Sequence, residues 1–118
     1  MQTLATLFVA ILIMPACYRN CLPTNEVKDR LNRQLHVGDT REKIEAVLKD
    51  IVSAYDRRPP EEDRGGKYFN YVEFVKRYST TIRDEPGCGS LQGISIFIYL
   101  DDQDRLSRIE VSEFYTWW

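Results

Sequence analysis

The stretch TREKIEAVLKDIVSAY, residues 40–55, places Ile44, Val47, Leu48, Ile51, Val52 and Tyr55 at offsets of 0, 3, 4, 7, 8 and 11. Those offsets fall on one side of an α-helix. Arg41, Glu42, Glu45, Lys49 and Asp50 fill the other side and read as its solvated surface. An apolar stripe of this kind must be buried against another layer. Asp39 is a plausible cap with Glu42 completing a capping box, and Thr40 is the alternative cap one residue on. Arg57-Arg58-Pro59-Pro60 stops the helix, because proline disfavours helical backbone in the residue before it.

The layer it needs lies further along. Ile94, Ile96, Ile98 and Leu100 alternate with Ser95, Phe97 and Tyr99, and Ile109 and Val111 continue the pattern beyond the polar turn Asp101-Asp102-Gln103-Asp104. This is a β-hairpin with one buried face, and Arg108, Glu110 and Ser112 stand on its outer face. Residues 67–83 are rich in aromatic and β-branched side chains and read as one strand, with a bulge, or alternatively as a helix over 69–78. Upstream, Val27, Leu31 and Leu35 mark a short amphipathic helix over about 25–35, started at Pro23-Thr24-Asn25. The expected fold is therefore α+β: two N-terminal helices packed on a three- or four-stranded antiparallel sheet, in two layers. Residues 56–66, charged and rich in Pro and Gly, read as an exposed loop, either a linker or a partner-binding segment.

A chain of 118 residues allows one domain, and 43% hydrophobic composition argues against wholesale disorder. Sixteen Lys and Arg face eighteen Asp and Glu, a net charge of −2, which lacks the cationic excess that nucleic acid requires. No nucleic-acid partner and no small-molecule substrate are expected. Residues 1–16 carry no charge, and Leu4–Met14 is apolar apart from Thr6. That run is too short to cross a bilayer as a helix and has the length of a signal-peptide core.

Met14-Pro15-Ala16-Cys17 resembles a bacterial lipobox. The resemblance implies cleavage before Cys17 and diacylation of its thiol, and it divides the chain into a signal (1–16), a tether (17–24) and a domain (25–118). The other readings of the leader are an ordinary signal peptide and an uncleaved anchor. By resemblance to Gram-negative sorting, Tyr18, standing where Asp would retain the protein, implies the periplasmic side of the outer membrane. With Cys17 carrying lipid, Cys21 and Cys88 remain, either as a disulfide permitted by an oxidising compartment or as two free thiols.

The segment Leu35-His36-Val37-Gly38-Asp39-Thr40-Arg41 and the helix after it resemble the signature of the SmpA/OmlA group, the small outer-membrane lipoproteins that include BamE-like subunits. The hairpin Ile96–Ile109 is similar to that group's closing hairpin. The resemblance implies two helices on an antiparallel sheet and a protein-binding or scaffold role in the envelope. Gly38 would free the backbone for a sharp helix entry. Asp39 stands where the group has methionine, and the helix continues past Leu48 where the group's usually stops.

No catalytic constellation stands out. His36 is the only histidine and lies beside a helix end with no nucleophile signature near it. Cys21, Cys88 and His36 do not make a zinc pattern. The acidic turn 101–104 lacks the glycine and closing glutamate of a calcium loop, Glu61-Glu62 lacks apolar surroundings, and no phosphate-loop glycines occur. No enzyme activity, metal or cofactor is expected. Candidate partner-binding residues are Tyr115, Trp117 and Trp118 in the aromatic end, either exposed or covered by a helix or the first strand, and Arg57 and Arg58 at the charged loop. An immunity or inhibitor protein acting on a periplasmic toxin or hydrolase is the alternative to the scaffold role.

Overall fold

The computed structural model describes residues 21–57, 68–84 and 91–115. In chain order these form α1 (Thr24–Gln34), α2 (Arg41–Tyr55), β1 (Asn70–Val72), a single 3-10 turn (Glu73–Val75), β2 (Arg77–Arg83), β3 (Leu91–Leu100) and β4 (Leu106–Tyr115). The strands make one antiparallel sheet in the order β1-β2-β3-β4. The fold is α+β, with both helices N-terminal to the sheet.

Each helix buries the stripe its spacing dictates. Val27 and Leu31 of α1, with Leu35 just beyond, and Ile44, Leu48 and Ile51 of α2 share one core with Tyr78, Ile82, Ile94, Ile96 and Ile98. Both helices therefore lie on the same face of the sheet. Leu22 is also in that core at 4% exposure, so the packed domain starts inside the segment read as tether. Each such side chain contributes about 1.5–3 kcal/mol relative to an exposed position.

Thr40 caps α2, its hydroxyl accepting from the Lys43 amide. Asp39 does not form the expected capping box with Glu42. Its carboxylate turns back to accept from the His36 amide at 2.8 Å and pairs with Lys43 at 3.3 Å. The His36 bond, chiefly, holds the Asp39 carboxyl below the ordinary carboxylate range. Gly38, at φ +94°, makes the sharp entry that a side chain would strain.

Residues 67–83 are not one strand. β1 and β2 form a tight hairpin with Tyr71 opposite Tyr78 and Val72 opposite Arg77. The 3-10 turn reverses the chain, and Lys76 completes it in the left-handed region at φ +48°. The mixed periodicity has its physical cause here. Tyr71 points inward at an odd position, whereas Tyr78, Thr80 and Ile82 point inward at even ones, because the turn shifts the phase.

The sheet has two dissimilar ends. At one, the Leu22 amide, Arg57, Asp84 and Tyr115 gather. At the other lie the α1–α2 loop, the β1–β2 turn and the β3–β4 turn: Gly38 donates to the Leu106 carbonyl, Leu106 donates to that of Asp39, and Leu100 donates to that of Lys76, each at 2.9 Å.

Gly93 occupies a buried place in β3 where a Cβ would lie 2.3 Å from the Ile82 carbonyl oxygen and 2.6 Å from the Phe114 ring. Gly93→Ala is expected to lower stability by about 2 kcal/mol or more, because one contact is backbone and cannot swing aside. Urea unfolding checks this. Adding Phe114→Ala should not restore stability, since the clash with the carbonyl persists.

Candidate functional site

The sheet face turned away from the helices is the main candidate. Strand pairing places Arg77, Ser79, Thr81 and Arg83 of β2, Ser95, Phe97 and Tyr99 of β3, and Arg108, Glu110, Ser112 and Phe114 of β4 on it. Three guanidinium groups lie over three aromatic rings: Arg77 over Phe97 at 4.9 Å, Arg108 over Tyr99 at 3.9 Å and Arg83 over Phe114 at 5.6 Å from the ring centroids. Arg108 also pairs with Glu110, which accepts from the Tyr99 hydroxyl at 3.3 Å. Each stack is worth about 0.5–1 kcal/mol where solvent reaches it. The stacks hold cations and rings in fixed positions on this face. The Nε of Arg77 is buried and finds no acceptor among the described residues.

The opposite, helix-covered face carries a second polar cluster. The Tyr78 hydroxyl donates to Glu45 and accepts from Arg41 Nε at 3.0 Å. Arg41 also lies 4.0 Å over the Tyr71 ring, and the Tyr71 and Tyr78 rings are 4.8 Å apart. Burial first, then the Glu45 bond, pushes the Tyr78 hydroxyl up to about 12. Tyr78 is thus a neutral phenol at ordinary pH, locking α2 to the sheet rather than offering a nucleophile or base. Because the folded value is raised, its stabilising effect is complete below 10.0 and is lost as pH climbs towards about 12. Raising the pH across that window should therefore lower the stability of the wild type by roughly 2–3 kcal/mol more than that of Tyr78→Phe. Denaturant titrations of both proteins above and below pH 10.0 test it.

The third cluster fastens the start of the domain. Asp84, its side chain fully enclosed, accepts from the Leu22 amide and from Arg57, each at 2.8 Å. Asp56 accepts from the Arg83 amide at 3.4 Å. Arg57, expected at a partner surface, is half-buried and engaged with Asp84. Arg58, Trp117 and Trp118 lie outside the described residues. Tyr115 is 41% exposed and donates its hydroxyl to Glu113, which also accepts from Thr24.

Cys21 is disulfide-bonded. Cys17 and Cys88 lie outside the described residues. His36 is exposed, and its backbone amide, not its ring, makes the bond to Asp39. In the acidic turn, Asp101 accepts from the Gln103 and Arg105 amides at 2.9 and 3.0 Å, and Asp104 pairs with Lys76 at 2.9 Å. These carboxylates shape the turn. Among the described residues no group of His, Cys, Asp and Glu is arranged to hold a metal, and no helix is long and apolar enough to cross a membrane.

The stacked face was missed in the sequence as a site, although Arg108 and Glu110 were read as outward-facing. The missing signal is the phase of Arg77 and Arg83, which reading 67–83 as one strand leaves unassigned because the β1–β2 turn shifts it. Compared with known proteins, the chain matches no family model, no curated protein and no solved structure.

Proposed function

We propose that this chain is a non-catalytic envelope protein, lipid-anchored through Cys17 on the periplasmic side of the outer membrane, that works by binding another protein. The observation carrying the reading is the sheet face that the described helices leave uncovered, with its three arginine–aromatic stacks. Arginine and aromatic residues are the types that dominate protein interfaces, and here they are pre-positioned, which lowers the entropy lost on binding. The lipobox-like Met14-Pro15-Ala16-Cys17 supports the anchor, and Leu22, five residues beyond Cys17, is already in the packed core.

The reading includes a Cys21–Cys88 disulfide. Cys21 is oxidised, and the bond from the Leu22 amide to Asp84 brings the chain to within four residues of Cys88 beside Cys21. Non-reducing peptide mass spectrometry should find the Cys21–Cys88 link. Two alkylatable thiols would remove it.

Two experiments test the function. Cys17→Ser should release the protein from the membrane fraction, and unchanged fractionation would count against the anchor. A photo-reactive residue at Thr81, within the open face, should form adducts with an envelope protein, and Arg77→Glu with Arg108→Glu should abolish them. A single dominant toxin or hydrolase among the adducts would turn the reading to an immunity or inhibitor protein.

A further inference from the structure

Most of the large apolar side chains left in solvent among the described residues gather at one end of the sheet. Among the described residues Phe74 is 95% exposed and Val75 45%, both in the β1–β2 turn, and Val72, 39% exposed, ends β1 beside it; Val37, 80% exposed, lies in the α1–α2 loop at the same end of the sheet, and Tyr115, 41% exposed, at the other. Exposure of an entire phenylalanine side chain gives up its burial energy, and none of the described residues buries Phe74. The turn is nonetheless firmly held. Lys76 donates its amide to the Glu73 carbonyl at 3.2 Å, accepts from the Leu100 amide at 2.9 Å, and pairs with Asp104 at 2.9 Å. A protruding ring on a braced turn loses little entropy when it is inserted into a cleft.

We propose that this turn is a docking knob whose Phe74 enters an apolar cleft, rimmed by basic residues, on a partner protein. The rim follows from charge. Glu73 in the turn and Asp101, Asp102 and Asp104 in the adjoining turn outnumber the neighbouring Lys76 and Arg105, and Arg41 of α2 also acts on Asp104. Those carboxylates repel an anionic lipid surface and favour a cationic protein rim. The knob sits at the end of the sheet opposite Leu22 and Asp84, so it points away from where the tether joins. The proposal rests on the protein-binding reading but uses a surface separate from the stacked face.

The test places a photo-reactive residue at position 74 in the full-length chain in its own membranes, beside the same probe at Thr81. The expected result is a protein adduct whose crosslinked peptide maps to an apolar cleft flanked by Lys or Arg. The knob's share is read with the probe kept at Thr81. There, Phe74→Asp should reduce the yield about tenfold or more and Asp101→Asn with Asp102→Asn should reduce it less, while Phe74→Leu retains most of it. Phe74→Asp should leave the melting temperature unchanged, because the side chain is already in solvent; this separates lost docking from lost folding. Adducts from Thr81 but not from position 74 would overturn the knob and leave the stacked face standing. Adducts only to lipid or to a second copy of this chain would also overturn it. Absence of adducts from both positions would sink both readings.

Discussion

Reduction of the disulfide at Cys21 is expected to lower the stability of the domain by about 4 kcal/mol, the loop-entropy value for a link from Cys21 to Cys88. A link to Cys17 would close only a four-residue loop, worth about 2 kcal/mol in the same treatment. The size of the effect therefore reports the pairing. Urea unfolding with and without reductant measures it. Cys88→Ser should reproduce the effect of reductant, and Cys17→Ser should leave it intact. A domain of this size has a total stability of about 5–15 kcal/mol, so the reduced protein would be markedly more sensitive to heat and proteolysis.

The second large effect is expected at Asp84. Its enclosed carboxylate accepts from a backbone amide and from a guanidinium, so Asp84→Ala leaves the Leu22 amide and Arg57 without that acceptor in a half-buried site. Removing one partner of a buried pair costs more than the pair contributes, and a loss of about 3 kcal/mol is expected. Asp84→Asn keeps an oxygen for the Leu22 amide and loses the charge, so it should fall between alanine and wild type. Thermal and urea unfolding read both. Because Leu22 adjoins Cys21, the alanine substitution and reduction should be non-additive, since each frees the same stretch of chain. Strict additivity would mean that the clasp and the disulfide fasten different parts of the molecule.

The sequence was most legible where one repeat persisted. The spacing from Ile44 to Tyr55 predicts α2, and it forms over Arg41–Tyr55. The alternation from Ile94 to Leu100 predicts β3 and, with Ile109 and Val111, the hairpin. The β1–β2 turn was hidden for a chemical reason: Glu73-Phe74-Val75-Lys76 contains no Gly, Pro, Asn or Asp. A lysine takes the left-handed position, held there by β3 and by Asp104, contacts distant in sequence. The same gap obscured the stacked face, because pairing an arginine of β2 with a ring of β3 or β4 depends on register. Arg57 illustrates the converse. As a charged residue beside a loop it reads as surface, and only the return of β2 at Asp84 draws it inward.

The bonds that close this domain join its beginning to its end. Thr24 meets Glu113 across 89 positions, Leu22 meets Asp84 across 62, and the loop at Gly38–Asp39 clasps the first residue of β4. A chain emerging N-terminus first cannot make these contacts until almost all of it has been synthesised. The first helix therefore waits without its final packing for most of translation. Under the envelope location proposed above, where the chain would cross a membrane before folding, that delay would keep it threadable and postpone closure until the last strand has cleared.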